Sequence, residues 1–137
     1  MHKLVVDASI VLGWPVSKSK TAAHAALRLQ DDAISGRKEL HAPLFLLIEI
    51  INVLSKKYHI PISDIQSFID QLRRIGIRFT IYYEDDMYDL LQTAVDYDLT
   101  AYDAHYVLLA KKLECKLITL DRKLLKLKDI AISVDEL

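Results

Sequence analysis

Two hydrophobic periods alternate along the chain, one typical of strands and the other of helices. Short apolar runs bounded by polar residues predict strands at residues 3–6, 78–83, 116–120 and 129–134. Between them, apolar positions three and four residues apart predict helices at residues 21–34, 44–58, 63–75, 85–97 and 102–113. This alternation is typical of a parallel sheet with helices on both faces, so we predict an α/β fold.

The length and composition narrow the class of protein. The 137 residues suit one domain, and the 52% that are hydrophobic are enough for a substantial core, so we expect residues 1–137 to form a single domain. A net charge of −1 gives no overall basic field, which means that any nucleic-acid surface has to be a local patch. No apolar run has the length of a membrane span or a signal peptide. We therefore expect a cytoplasmic protein.

Two carboxylates come directly after predicted strands. Asp7 ends the first apolar run, and Asp121 ends the run at residues 117–120. In an open parallel sheet, ligands bind outside the carboxyl ends of the strands, so acidic residues at these positions are candidate functional groups. Asp is also a favoured N-cap, and a short helix after each strand would give both residues that structural role instead. The sequence leaves the two interpretations equally open.

Glu49 lies in a helix that is apolar on almost every side. Such a helix is predicted to be buried. Its polar residues Glu49, Asn52 and Lys56 are three and four residues apart and share one narrow face. A solvent-exposed stripe is usually wider, so we favour a polar cleft.

Asp103 follows Thr100 by three residues, the spacing of a capping box. Under that interpretation, the carboxylate serves only its own helix. However, Asp103 shares a helix face with Tyr106, Val107 and Ala110, and this is the face expected to pack inward, where a carboxylate needs a partner. Asp96 and Asp98 are rival candidates, but they lie at a helix end without an apolar face.

The order of these motifs points to a family. The chain has Val-Val-Asp-Ala-Ser at residues 5–9, Glu49 with Asn52 in a mid-chain helix, Leu-Thr-Ala-Tyr-Asp-Ala-His-Tyr at 99–106, and Leu-Ile-Thr-Leu-Asp-Arg-Lys-Leu at 117–124. The ordered set resembles the PIN domain and, more narrowly, the VapC toxins of toxin–antitoxin pairs. The resemblance covers nearly the whole chain.

The resemblance implies a three-layer α/β/α sandwich around a parallel sheet, with endoribonuclease activity and a magnesium or manganese site. It also implies a homodimer and a small VapB-like antitoxin as partner. The residues that match the family's catalytic and metal-binding positions are Asp7, Glu49, Asp103 and Asp121. Ser9 and Thr119 match its polar supporting positions, and Asn52 accompanies Glu49. Arg122 and Lys123 stand where some PIN nucleases have further acidic residues, which weakens the case for a second metal.

The residue types are consistent with this chemistry. Converging carboxylates stay ionised at neutral pH when a cation lies among them, and oxygen ligands select a hard ion such as Mg²⁺. The five histidines are scattered without metal-ligand spacing, which disfavours zinc. A bound Mg²⁺ activates water for attack on a phosphodiester. We expect Asp7 and Asp103 as direct ligands and the other two acids as ligands through water or as bases.

Candidate RNA contacts are weaker. Lys18, Lys20, Arg122 and Lys123 follow strands that carry site residues, and Lys and Arg dominate contacts with phosphate, although most surface lysines are simply solvated. Tyr102 and Tyr106 flank Asp103 and are candidates for base stacking or for the core.

Two other functional classes remain open from the sequence. One is a phosphoryl-accepting regulatory α/β domain, which would be expected to have an adjacent acidic pair where this chain has only Asp7. The other is a PIN fold that has lost catalysis and serves as a binding module, which the filled acidic positions disfavour.

Overall fold

The structure is a computed structural model that describes residues 2–16 and 20–137, with the side chains of residues 15, 16 and 20–23 left aside. Its centre is a parallel sheet of five strands in the order β3-β2-β1-β4-β5. The strands are β1 (His2–Val6), β2 (Lys38–Pro43), β3 (Arg78–Thr80), β4 (Lys116–Thr119) and β5 (Ala131–Ser133). The predicted parallel α/β architecture is confirmed.

Helices connect the strands and cover the sheet. They are α1 (Ala8–Val11), α2 (Gly13–Val16), α3 (Lys20–Ile34), α4 (Phe45–Asn52), α5 (Ile62–Ile75), α6 (Asp86–Asp96), α7 (Ala101–Lys112) and α8 (Arg122–Leu125). A π-helical turn, Val53–Lys57, continues α4, and a 3-10 turn, Val134–Glu136, follows β5. None of the helices in the described residues is long and apolar enough to cross a membrane.

Strand β2 was missed by the prediction, which had four strands. Its sequence, Lys-Glu-Leu-His-Ala-Pro, has no β-branched residue and resembles a polar loop. The strand nevertheless lies inside the sheet, between β1 and β3, because its polar side chains have partners there. His41 Nε2 lies 2.6 Å from Glu39 Oε1, and Arg78 from β3 lies 3.4 Å from the same oxygen. Tertiary pairing stabilises a strand that local propensity does not indicate.

The central strand β1 explains why the site lies at one edge of the sheet. Leu4, Val5 and Val6 are fully buried, with β2 and β4 on either side. Because every strand is parallel, the carboxyl ends of β1, β2 and β4 meet at a single edge, which we call the carboxyl edge. Helix α4 begins just after β2, and α7 leads into β4 after running about 18 Å back along the sheet. Both helices therefore begin at the carboxyl edge.

Candidate active site

Asp7 is a buried carboxylate at the carboxyl end of β1, with only 5% of its surface exposed. Its Oδ1 accepts a hydrogen bond of 2.5 Å from the Ser9 hydroxyl, and its Oδ2 accepts one from the Thr119 hydroxyl. Oδ1 also lies 3.3 Å from the backbone nitrogen of Ile10, so Asp7 is the N-cap of α1. Both carboxylate oxygens are thus held in a fixed orientation.

The two hydroxyls that hold Asp7 also join the ends of β1 and β4. Ser9 Oγ accepts a hydrogen bond of 2.9 Å from the Leu120 nitrogen, and Thr119 Oγ1 accepts one of 3.0 Å from the Asp121 nitrogen. The backbone just before the Asp121 side chain is therefore tied to Asp7. These contacts explain how residues more than a hundred positions apart share one site.

Glu49 faces the same region from α4. Its side chain is partly buried, and its Oε1 accepts a hydrogen bond from the hydroxyl of Tyr106 on α7. Tyr106 is 2% exposed, so this hydroxyl has no access to bulk water as an alternative partner. The bond connects α4 to α7 across the site and orients the Glu49 carboxylate.

Asp103 and Asp121 complete the set of four acids, and both lie at the start of a helix, Asp103 in the first turn of α7 and Asp121 as the N-cap of α8. The Thr100 hydroxyl accepts a hydrogen bond of 3.1 Å from the Asp103 nitrogen, which makes Thr100 the N-cap of α7. Asp121 caps α8 by accepting a hydrogen bond of 2.8 Å from the Lys123 nitrogen. Asp7 and Asp121 are therefore helix caps, as one interpretation of the sequence held. Capping does not separate these two residues from the other acids, because both caps lie at the carboxyl edge.

The electrostatics show that the carboxylates lie near one another. Burial raises the pKa of Asp7 to about 6 against the hydrogen bonds that lower it, and the charge of Glu49 raises it further. Burial also raises the pKa of Glu49, with the charge of Asp103 adding to the increase. The pKa of Asp103 is raised by burial and then by the charge of Asp121. Repulsion thus links the four acids in a chain, with Tyr106 among them.

Comparison with known proteins assigns this arrangement to a family. The family model described as PIN domain matches residues 4–130. The chain belongs to the PIN domain family. Ribonuclease VapC3 of Pyrobaculum aerophilum is 31% identical over 128 residues, which cover 89% of this chain and 92% of that protein. The resemblance of this PIN domain to the VapC type is confirmed.

Two solved structures share the fold. A crystal structure of PAE2754 from Pyrobaculum aerophilum matches with a TM-score of 0.68 and 27% identity, covering 98% of this chain and 91% of that one. The structure of VapBC2 from Rickettsia felis, bound to a DNA fragment from its promoter, matches with a TM-score of 0.68 over 96% of this chain and 98% of that one. At 14% identity, this second likeness concerns the fold alone.

The donor set of the site suits a hard divalent cation. Carboxylate oxygens whose pKa values are raised by burial and by one another gain from a positive charge placed between them. Within residues 2–16 and 20–137, however, no three acidic, histidine or cysteine side chains are gathered closely enough to hold one ion together. This open arrangement suits Mg²⁺, which is bound by one or two carboxylates and keeps several waters.

The other predicted residues differ in their relation to the site. Asn52 is exposed on α4, one turn after Glu49. Lys123 is exposed on α8, close enough to Asp103 for its charge to lower the pKa of that carboxyl, and Arg122 is exposed beside it. Lys18 lies outside the described residues, as does the side chain of Lys20. Of the predicted phosphate contacts, Lys123 is the one that the structure brings to the acids.

Tyr106 is the site residue that the sequence analysis did not assign. It was considered for the core or for base stacking, and its burial agrees with the core. Its hydroxyl contacts a carboxylate, which a Tyr at a core spacing does not indicate. The available signal is its position three residues after Asp103, on the same face of α7.

The raised pKa of Asp7 predicts a pH dependence of stability. In metal-free protein, the native state binds more protons than the unfolded chain between pH about 4 and 6. The contribution of Asp7 to the stability of the native state is therefore fully present below the pKa of the unfolded chain, and it is lost as the pH rises through the pKa of Asp7 in the folded protein. Asp7→Asn removes this loss, so the variant should become more stable than wild type above pH 6, by on the order of 3 kcal/mol at most.

Urea unfolding from pH 4 to 8 in EDTA measures this difference. Asp129→Asn, an exposed carboxylate beyond the opposite edge of the sheet, is the matched control and should differ from wild type by a constant amount. A constant difference for Asp7→Asn would contradict the prediction. Asn is also a good N-cap and can accept the bond from Ile10, so the cap is retained.

Proposed function

We propose that this PIN domain, formed by residues 1–137, is a divalent-metal-dependent endoribonuclease of the VapC type, the toxin of a toxin–antitoxin pair acting in the cytoplasm. The observation that carries the proposal is the group of carboxylates that β1, α4, α7 and β4 bring to the carboxyl edge, where burial and repulsion raise the pKa values of Asp7, Glu49 and Asp103 and so favour a cation. The 31% identity to ribonuclease VapC3 supports RNA as the substrate.

In this proposal, Asp7 and Asp103 hold Mg²⁺ or Mn²⁺ directly, and Glu49 and Asp121 act through water. The bound ion supplies an activated water and offsets charge on the phosphate. Asp7 is already oriented by the Ser9 and Thr119 hydroxyls, so little reorganisation is needed when it binds. Preorganisation of this ligand is the contribution of β1 and β4.

The proton of the attacking water needs an acceptor. Glu49 is the best placed, because Tyr106 engages its Oε1 and leaves Oε2 to take the proton as the water oxygen bonds to phosphorus. The phosphorus–oxygen bond to the leaving ribose breaks in the same displacement, and the leaving oxygen takes a proton from solvent. Burial raises the pKa of Glu49 and so makes it a stronger base. Lys123 lies beside Asp103, where it can bind a phosphate of the substrate.

The two alternative functions fit the site less well. A phosphoryl-accepting regulatory domain is expected to have an adjacent acidic pair after the first strand, whereas this chain has Asp7 alone there. An inactive binding module has no need for repelling buried carboxylates, which lower the stability of the fold. Both alternatives predict that purified protein does not hydrolyse RNA.

The first test is metal dependence. Mixed single-stranded and structured RNA should be cleaved with Mg²⁺ or Mn²⁺ and left intact in EDTA. Asp103→Asn should reduce the rate by at least about a hundredfold, because it removes charge from the cation site. Asp96→Asn is the matched control, since Asp96 is an exposed helical acid that accepts a bond from Gln92. Undiminished cleavage in EDTA would refute the metal mechanism.

The Tyr106 hydroxyl should adjust the pKa of Glu49 without taking part in the reaction. Its hydrogen bond lowers the pKa of Glu49, so Tyr106→Phe should raise that pKa and move the acid limb of the pH–rate profile to higher pH. Tyr97→Phe, which alters a partly buried tyrosine elsewhere, should leave the profile in place. A fall in rate without any shift of the profile would mean that Tyr106 only supports the fold.

The partners of this PIN domain are also proposed. Exposed apolar side chains line a shallow groove between the start of α4, the end of β3 and the start of α6: Leu44, Ile48, Ile81 and Met87. Apolar patches of this kind are typical of protein interfaces. The shared fold with VapBC2 of Rickettsia felis supports a VapB-like antitoxin as one partner, and we propose a homodimer as the free form.

Light scattering at high micromolar concentration tests the homodimer. Wild type should have the mass of a dimer, and Ile48→Asp should shift it towards the monomer, because a charge in the groove opposes apolar contact. Gln92→Asp places a charge on an exposed polar position and serves as the control. A wild-type protein that stays monomeric at every concentration would contradict the proposal.

A further inference from the structure

An aromatic stack lies between α4 and α7, and we define it as Phe45, Tyr82, Tyr102 and His105. Phe45 and Tyr102 have ring centroids 5.3 Å apart and planes 3° from parallel. His105 stacks with Phe45 at 4.6 Å and with Tyr82 at 5.5 Å. The stack is continuous from the half-buried Tyr82 to the exposed Tyr102.

The aromatic stack lies next to the four acids and is closer to the carboxyl edge than the contact between Glu49 and Tyr106. Phe45 contacts Tyr102, and four residues further along each helix Glu49 contacts Tyr106. The two contacts are therefore one helical turn apart, about 5.4 Å. Both helices begin at the carboxyl edge, so the stack is at the outer end of this row and the Glu49 contact is one turn deeper. The aromatic stack therefore borders the acids on the side of the carboxyl edge.

The rings of the stack are held in place. The Tyr82 hydroxyl donates a hydrogen bond of 2.8 Å to the His105 carbonyl oxygen. His105 Nδ1 lies 2.5 Å from the Ala101 carbonyl oxygen, so this nitrogen carries the proton and donates it. These bonds fix the planes against which Tyr102 is aligned through Phe45. The stacking contact with Phe45 restricts the Tyr102 ring before another ring stacks on it.

Tyr102 has one ring face against Phe45, yet 63% of the residue is exposed. The exposure therefore falls on the opposite face and on the ring edge. An aromatic face that extends an existing stack and opens to solvent suits a flat ring, and every nucleobase has such a face. Because Tyr102 lies beside the proposed site of RNA hydrolysis, we take this ring to be a nucleobase.

We propose that Tyr102 is a base-stacking subsite, which holds the nucleobase adjoining the scissile phosphate of single-stranded RNA. The inference deepens the proposed ribonuclease function and rests on it. In the proposed function, Lys123, whose charge reaches Asp103, binds phosphate while Tyr102 binds a base, so the two contacts together hold the strand at the acids. Because stacking accepts any base, the subsite favours unpaired RNA over duplex without reading sequence.

The test separates stacking from cleavage by omitting the metal. A short single-stranded RNA with one fluorescent aminopurine base is titrated with protein in EDTA, where stacking on an aromatic ring quenches the fluorescence. Wild type and Tyr102→Phe should quench it equally. Tyr102→Leu, which keeps apolar bulk without an aromatic face, should lose the quenching and bind roughly tenfold more weakly. Tyr88→Leu, a change of a 77% exposed tyrosine outside the stack, should behave as wild type.

Quenching and affinity that persist in Tyr102→Leu would overturn the inference. So would a changed molecular mass of Tyr102→Leu in light scattering with quenching intact, which would identify Tyr102 as a protein contact. Cleavage with Mg²⁺ is measured separately on the same variants. Wild-type protein that quenches in EDTA but never cleaves would refute the proposed function and support the stacking subsite.

Discussion

The burial of Asp7 between two hydroxyls is the interaction on which the site depends. Ser9 follows Asp7 in the same turn, while Thr119 belongs to β4, so the carboxylate can be satisfied only when β1 and β4 lie side by side in their observed register. The same pairing carries Asp121 to the carboxyl edge. Burying a charged carboxylate without partners would be very unfavourable, and here the hydrogen bonds of Asp7 offset part of the desolvation cost.

The remaining desolvation cost is consistent with the proposed cation site. The hydrogen bonds do not cancel the effect of burial, since the pKa of Asp7 stays raised to about 6. Near neutral pH the acids repel one another, and this repulsion lowers the stability of the metal-free fold while raising its affinity for a cation. In the proposed function, a bound cation would restore the free energy of folding that this repulsion removes. A site with fewer acids would be more stable and would bind the ion less tightly.

The predictable parts of this molecule are those determined by local sequence. Asp7 and Asp121 follow uninterrupted apolar runs, so periodicity alone indicates that they end strands, and parallel pairing then implies a shared edge. Strand β2 was missed because Glu39 and His41 interrupt its apolar residues, and their partners come from neighbouring side chains that a linear pattern does not reveal. Tyr106 was missed for the same reason. Its contact with Glu49 joins residues 57 positions apart, and the spacing within α7 indicates only a buried ring.

Helix capping and chemistry were posed as alternatives for these acids, and the fold shows that the two roles are compatible. At the carboxyl edge of this parallel sheet, α1 begins directly after β1 and α8 directly after β4. A carboxylate at such a junction accepts hydrogen bonds from backbone N–H groups of the helix and also faces the edge where ligands of parallel sheets bind. Asp7 caps α1 and Asp121 caps α8 with one oxygen each. A cap requires an accepting oxygen, whereas a cation site requires negative charge. Asn retains the first property and lacks the second, and for this reason Asp-to-Asn exchanges separate two roles that the geometry has joined.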